Sequence, residues 1–252
     1  MTRLLITVAH PDDETFGTGS VIASAVEAGA EAVVCCATRG EAGEAVGLPP
    51  DADLGAVREA ELRAAGALLG ASQIVLLDYG DSGMAGEPAA GTLAAAPIDE
   101  VAERIEAVIR DVAPDVVVTL DPDHGDGHRD HEAIARGTIA ACESHPDIRL
   151  YAWVLPRAYL ARWFAELEQV RPDSEHLDLD QQGIGRPEED ITTVVDVAHL
   201  RPLREQAFAL HASQTSPMDG MPDDVRAAFL DRDHLVLLQP PWTGGERETS
   251  LF

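Results

Sequence analysis

The chain has 252 residues, 45% hydrophobic and 25% charged, a globular composition long enough for one sizeable core and unlike that of a disordered tail. Acidic residues outnumber basic ones 45 to 18, and the formal net charge of −27 repels phosphate backbones and anionic membrane surfaces, which argues against nucleic-acid binding. Lys and Asn are both absent, so no Asn-X-Ser/Thr acceptor exists and the acidic excess reads as a solvated surface set by codon usage or salt adaptation.

Leu4 to Ala9 is apolar but falls far short of the roughly 18 residues a membrane span needs, as does every other run. The three cysteines, Cys35, Cys36 and Cys142, are odd in number, and two of them are adjacent within an apolar run, which is no disulfide framework. The expectation is a soluble protein of a reducing cytoplasm.

Residues 3–9 (RLLITVA) predict a buried strand that stops at His-Pro-Asp-Asp, followed by a helix over Thr15 to Ala28 that ends at Gly29. The pattern then recurs. Glu31 to Thr38 predicts a second strand, Ala56 to Leu69 a helix closed by Gly70, and Gln73 to Tyr79 a third strand. Ile98 to Val112 predicts a helix, Asp115 to Leu120 a fourth strand, and Arg129 to Cys142 the next helix. Continuous apolar strands alternating with amphipathic helices imply an α/β, Rossmann-like doubly wound fold with a mainly parallel sheet. The loops 43–55 and 80–97, rich in Gly, Ala, Pro and Asp, belong to the carboxyl edge of that sheet, where such folds place their sites. They also offer a surface for a homo-oligomer.

After residue 150 the rhythm loosens: a strand near Leu150 to Leu155, a helix through Tyr159 to Gln169, and a polar stretch over 171–189. A strand at Asp190 to Val197, a helix at Leu200 to His211 and a strand at Leu235 to Gln239 close the chain. One domain over 1–252, with a core in 1–150 and a C-terminal elaboration in 151–252, accounts for this organisation.

Two polar clusters carry the chemistry. The first strand ends in Ala9-His10-Pro11-Asp12-Asp13-Glu14, and the fourth in Asp121-Pro122-Asp123-His124-Gly125-Asp126-Gly127-His128-Arg129-Asp130-His131. His128 and His131 lie three apart at the start of a helix and share a face. A divalent metal that keeps one coordination position open for water takes two imidazoles and a carboxylate, and His10, Asp13 and His131 supply that set. Zinc fits best, and the same donors admit Fe(II) or Co(II). Adjacent residues on a turn point in different directions, so one of the two aspartates can ligate while its neighbour accepts a proton from water acidified by the metal. His128 then stands beside the scissile carbonyl to stabilise the oxyanion or protonate the departing amine. No Gly-X-Gly-X-X-Gly follows the first strand, so a dinucleotide is not indicated.

The pair AHPDDE and GHRDH resembles the metal-dependent N-deacetylase family that includes the N-acetylglucosaminyl-phosphatidylinositol de-N-acetylases (PIG-L) and the bacterial LmbE-like proteins. Thr38-Arg39-Gly40-Glu41, Arg58 through Gly70, Asp81-Ser82-Gly83-Met84 and His211-Ala212-Ser213-Gln214 extend the resemblance along nearly the whole chain. It implies one zinc per chain on His10, Asp13 and His131, Asp12 as general base and His128 as electrostatic partner. It further implies that Arg58 binds a substrate hydroxyl or the acyl product, and that Glu44, Asp81 and Met84 line a sugar pocket. His211 is carried over as a further substrate-side residue. Three departures stand out: Arg129 replaces a common Pro and brings a positive charge to the pocket rim, Asp126 replaces a Tyr of mycothiol-pathway members, and Gly17-Thr18-Gly19 replaces a Gly-Gly pair.

The resulting expectation is a zinc-dependent amidohydrolase that removes an acyl group, acetyl above all, from the 2-amino position of a glucosamine-containing small molecule. A mycothiol-conjugate amidase or a natural-product deacylase uses the same site. An iron oxygenase shares the facial ligands but usually sits on a β-rich barrel, and a non-catalytic Rossmann-like binding protein has no need of Asp12. The strongly acidic chain further favours a neutral sugar over a charged phospholipid.

Overall fold

The structure is a computed structural model that describes residues 1–84, 86–125, 127–178 and 183–252, with residues 175 and 178 described by backbone alone. Its elements in chain order are β1 (Arg3–Val8), α1 (Asp13–Phe16), α2 (Gly19–Glu27), β2 (Glu31–Cys36), α3 (Leu54–Leu69), β3 (Gln73–Leu76), α4 (Ile98–Val112), β4 (Val116–Thr119) and α5 (Arg129–Cys142). There follow β5 (Arg149–Val154), α6 (Arg157–Val170), β6 (Thr193–Asp196), α7 (Arg201–Phe208), α8 (Asp223–Leu230) and β7 (Arg232–Gln239). Among the described residues, seven strands form one sheet in the order β3-β2-β1-β4-β5-β7-β6.

The first five strands are parallel, in registers that pair Ile6 with both Val34 and Val118. Leu4, Leu5 and Ile6 are completely buried, which fits a strand covered on both faces and is worth roughly 1.5–3 kcal/mol per side chain. Right-handed crossovers put α2 and α3 over one face, and α4 and α5, packed on each other, over the opposite face. The remaining two strands are antiparallel to their neighbours: β7 runs against β5 with an irregularity at Leu150/Tyr151, and β6 runs against β7. The C-terminal segments therefore extend the same sheet, and Leu235, Leu237 and Leu251 join the core built on β1, β2 and β4.

Two elements differ from the pattern read in the sequence. The helix expected over Thr15 to Ala28 is broken into α1 and α2 at Gly17-Thr18. A Cβ at Gly17 would lie 2.9 Å from the Asp13 carbonyl, so the chain needs glycine where it turns between the two pieces. Helix α8, in a segment where the sequence pattern predicted no element, packs Phe229 with Trp163, Phe208 and Met218 into a satellite core. Buried Arg204 crosses this core between the Phe208 and Phe229 rings and donates to the Phe16 carbonyl at 3.1 Å, which ties α7 to the end of α1. No helix among the described residues is long and apolar enough to cross a membrane.

His234 sits on β7, between β5 and β6, and burial together with Arg232 and Arg247 pushes its imidazole down to about 4. In the unfolded chain this group takes up its proton near pH 6.5, so the folded state binds fewer protons between those values. Stability is therefore highest above about pH 6.5 and falls as pH drops toward 4, by up to about 3 kcal/mol from this residue. Denaturant melts of wild type and His234→Gln between pH 7 and 4 should show the variant losing less stability; parallel curves would refute the assignment.

Candidate metal-centred active site

The chain leaves β1 toward β2 and β3 on one side and returns through β4 on the other. The carboxyl ends of β1 and β4 therefore flank the topological switch point, where an open α/β sheet has its crevice. The two polar clusters follow these two strands. The turn after β1 carries His10, Asp12 and Asp13, and the first turn of α5, reached from β4, carries His128 to His131.

His10 Nδ1 lies 3.3 Å from His131 Nε2. Asp13 Oδ1 is 3.2 Å from His131 Nε2, and Asp13 Oδ2 is 3.6 Å from His10 Nδ1. Tetrahedral zinc with ligand bonds of 2.0–2.1 Å spaces its donors about 3.4 Å apart, which the His10–His131 and Asp13 Oδ1–His131 separations match, while Asp13 meets His10 through its other oxygen. A second grouping overlaps it: the donor atoms of His10, Asp81, His128 and Asp130 also lie within 4.8 Å of one another, as do those of His10, His128 and His131. The oxygens of Asp81 and Asp130 are committed to backbone N–H groups, whereas Asp13 Oδ1 turns toward His131, so the Asp13 triangle is the better fit to a cation.

The charge balance points the same way. Each of the three carboxylates around His10 accepts two or more backbone N–H groups. Asp13 takes those of Ala9 and His10, Asp81 those of Ala42 and Gly83, and Asp130 those of Ser82 and Ala94. Burial alone would lower the His10 imidazole; Asp13, Asp130 and Asp81 outweigh it and hold His10 well above its usual value. Burial likewise opposes ionisation of Asp13, yet His131 and His10 keep its carboxyl well below the ordinary range. A pocket that stabilises its carboxylates as anions and attracts protons to its imidazole is built for positive charge. His10 Nε2 faces Asp130 Oδ2 at 3.2 Å, the carboxylate–imidazole contact that orients a metal-ligating histidine.

Asp12 is set apart from this cluster by its backbone. Its φ of 126° and ψ of −30° are strained for a non-glycine residue, on the order of 1–3 kcal/mol. The carboxylate does not cap α1; it accepts from Arg58 Nη2 at 3.0 Å. Arg58 also donates to the Pro11 and Gly40 carbonyls at 2.6 and 2.7 Å. It reaches them because Gly40, at φ +66°, has no Cβ, which would fall 2.3 Å from the guanidinium. Arg58 is thus buried against Asp12, not paired along its helix: Glu59 binds Arg39 and Arg63, and Glu61 binds Ser213. Burial, reinforced by Asp13 and opposed by Arg58, raises the Asp12 carboxyl to about 6, a value suited to a base at neutral pH.

The residues expected to line a sugar pocket divide. Met84 is half exposed. Asp81 is buried beside His10, its Oδ1 at 3.6 Å from Nε2, and caps the Asp81–Gly83 turn. Glu44 accepts the Thr215 N–H at 2.9 Å and so fastens its loop to the C-terminal segment. His211, expected on the substrate side, is buried against Glu14, which raises its imidazole despite the opposing effect of burial. Arg129, expected at the rim, donates at 2.6 Å to the carbonyls of Ser82, Gly83 and Gly86 and shapes the loop that carries Asp81. Asp126 lies outside the described residues.

His128 is the N-cap of α5, and its Nδ1 accepts the Asp130 N–H at 3.1 Å. An Nδ1 that accepts leaves the ring proton on Nε2. The His10 and His128 rings meet edge to face at 4.5 Å. Sequence reasoning missed Asp130 and Glu14, although both stand inside the motifs, and missed Arg186, which pairs with buried Asp121 at the end of β4. Arg186 had no detectable signal, because its partner lies far away in the chain.

The profile of the PIG-L family, described as GlcNAc-PI de-N-acetylase, matches residues 5–142. A 1D-myo-inositol 2-acetamido-2-deoxy-alpha-D-glucopyranoside deacetylase of Rhodococcus jostii (strain RHA1) is 35% identical over 277 residues, spanning 98% of this chain and 94% of the relative. Among solved structures, the deacetylase of A40926 pseudoaglycone superposes with a TM-score of 0.67 at 21% identity, over 94% of this chain and 96% of that one. The 4-carboxy-2-hydroxymuconate hydratase of Pseudomonas putida KT2440 reaches a TM-score of 0.61 at 19% identity, over 97% and 99% of the two chains. At these identities the structural likeness is one of fold, and a hydratase among the neighbours means that fold alone does not fix the reaction. The family match over more than half of the chain, with an identity of 35% to a relative aligned nearly end to end, places this chain in the PIG-L family.

Proposed function

We propose that this chain is a metal-dependent hydrolase that removes an N-acyl group, acetyl in the first instance, from a small molecule containing glucosamine. The observation that carries the reading is the donor triangle of His10, Asp13 and His131 with Asp12 held at its edge by Arg58. The name of the Rhodococcus relative supports an inositol-linked N-acetylglucosamine as the first substrate to try. We take zinc as the cation, and a reducing cytoplasm as the compartment on the strength of three unpaired, buried cysteines.

His10, Asp13 and His131 would hold the cation, which when bound polarises an amide carbonyl and lowers the pKa of water toward ~7. The chain's own groups then divide the proton work. Asp12 takes a proton from the attacking water as its oxygen bonds to the amide carbon. His128 donates from Nε2 to the carbonyl oxygen as negative charge develops there. The C–N bond breaks, the proton held by Asp12 passes to the departing amine, and the products are a carboxylate and a free amino sugar. Asp130, through His10 Nε2 and its own N–H to His128 Nδ1, orients both imidazoles.

Purified protein should contain about one zinc per chain, and chelation should abolish acetate release from N-acetylglucosaminyl substrates. Asp12→Ala should retain metal and lose about 10²–10⁴ in kcat, whereas His131→Ala should lose metal and activity together. Normal turnover by Asp12→Ala would remove it as the base. Arg129→Ala should speed amide hydrogen exchange at Ser82 and Gly83 while leaving Ala9 and His10 unchanged; a raised KM with unaltered exchange would return Arg129 to a substrate-binding role. Turnover of neutral and phosphorylated N-acetylglucosaminyl substrates at low and high salt tests the acidic surface, with the neutral sugar preferred most strongly at low salt.

A further inference from the structure

Glu14 is the carboxylate of the AHPDDE turn that the proposed chemistry leaves unused, and its side chain is fully buried, as is that of His211 facing it. Both of its oxygens are occupied. Oε2 accepts the backbone N–H of Asp12 at 2.9 Å, while Oε1 accepts the Thr15 hydroxyl at 2.6 Å and meets His211 Nε2 at 2.9 Å. Glu14 therefore spans from a C-terminal anchor to the one residue of the turn whose backbone is strained.

The anchor is firm. The His211 N–H donates to the Phe208 carbonyl at 3.1 Å, its ring packs against Phe16 at 5.5 Å, and Ser213, two residues on, is held by Glu61 of α3 through both its N–H and its hydroxyl. The strain at Asp12 has a consequence for direction. With φ at 126°, Asp12 turns its carboxylate to Arg58, while the carboxylate of the next residue, Asp13, turns to His10 and His131. The Asp12 carbonyl is fixed from one side by the N–H groups of Thr15 and Phe16 at 2.9 and 2.7 Å. In this partly buried turn the acceptor of its own N–H is Glu14.

We propose that Glu14, braced by His211, is a positioning residue for Asp12: its reach holds the Asp12 backbone in the conformation that sends two adjacent carboxylates to different tasks. This rests on the reading of Asp12 as the base. Reach, not charge, is the operative property, and two conservative variants separate them. Glu14→Gln keeps the length and an oxygen for the Asp12 N–H. Glu14→Asp keeps the charge but is one methylene too short to serve Asp12 and His211 at once.

The test measures kcat, KM, bound zinc and melting temperature for both variants, with Asp12→Ala alongside. Glu14→Asp should lose about tenfold or more in kcat with KM and metal content unchanged, and Glu14→Gln should recover most of the rate. Wild-type kcat in Glu14→Asp, or a loss in Glu14→Gln equal to or larger than that in Glu14→Asp, overturns the proposal. Full activity in Asp12→Ala overturns the base assignment instead, so the two failures are distinct. If Glu14→Asp does not fold, the crystal structure of Glu14→Gln decides: a retained positive φ at Asp12 supports the proposal, and a relaxed Asp12 with full kcat overturns it.

Discussion

Three carboxylates, those of Asp13, Asp81 and Asp130, crowd one buried imidazole, His10, at 3.2–3.6 Å. At an effective dielectric of about 20, unit charges 4 Å apart interact by about 4 kcal/mol, and the three carboxylates outnumber His10 and His131, the two imidazoles in contact with them. Backbone N–H groups from three different loops each neutralise part of this charge, and the balance is left for a divalent cation. The loops after β1, β2 and β3 and the start of α5 are arranged to satisfy these groups. The site and its scaffold are one electrostatic unit.

The first turn of α5 shows how economically this is done. His128 and His131, three residues apart, face the crevice, while Arg129 and Asp130 between them hold the 82–94 loop by its carbonyls and N–H groups. The TRGE segment works the same way. Thr38 accepts the Gly40 N–H and donates to the Ala9 carbonyl, Gly40 clears space for Arg58, and Glu41 accepts the N–H of Asp81. Motif residues outside the His10, Asp13 and His131 set thus fix the loops around it.

The parallel core and the meeting of two ionisable clusters at one edge of the sheet were legible in the sequence because both depend on local pattern: apolar runs of strand length, and ionisable residues placed where strands end. Direction was not legible. The division between Asp13 and Asp12 was expected from the turn and the family resemblance, but nothing in the letters HPDDE says that Asp12 meets Arg58 or that Glu14 turns inward to His211. Glu44, Arg129 and His211, read as substrate-side residues, also bind protein groups, the Thr215 N–H, the Ser82, Gly83 and Gly86 carbonyls and Glu14, and such partners distant in the chain leave no mark in the sequence. The antiparallel placement of β7 and the Asp121–Arg186 pair were missed because each is decided by tertiary contact, and the break at Gly17-Thr18 because a local turn is masked by helical spacing on both sides of it.

The net charge of −27 is mainly a surface property, yet its buried fraction is the part that defines the molecule. The most direct test of that claim is anomalous diffraction at the zinc edge from crystals of the metal-loaded protein. The account predicts one ion bound by His10 Nδ1, Asp13 and His131 Nε2 at about 2.0–2.2 Å, with Asp130 on the far nitrogen of His10. An ion held instead among His10 Nε2, Asp81, His128 and Asp130, or no ion at all between β1 and α5, would contradict it.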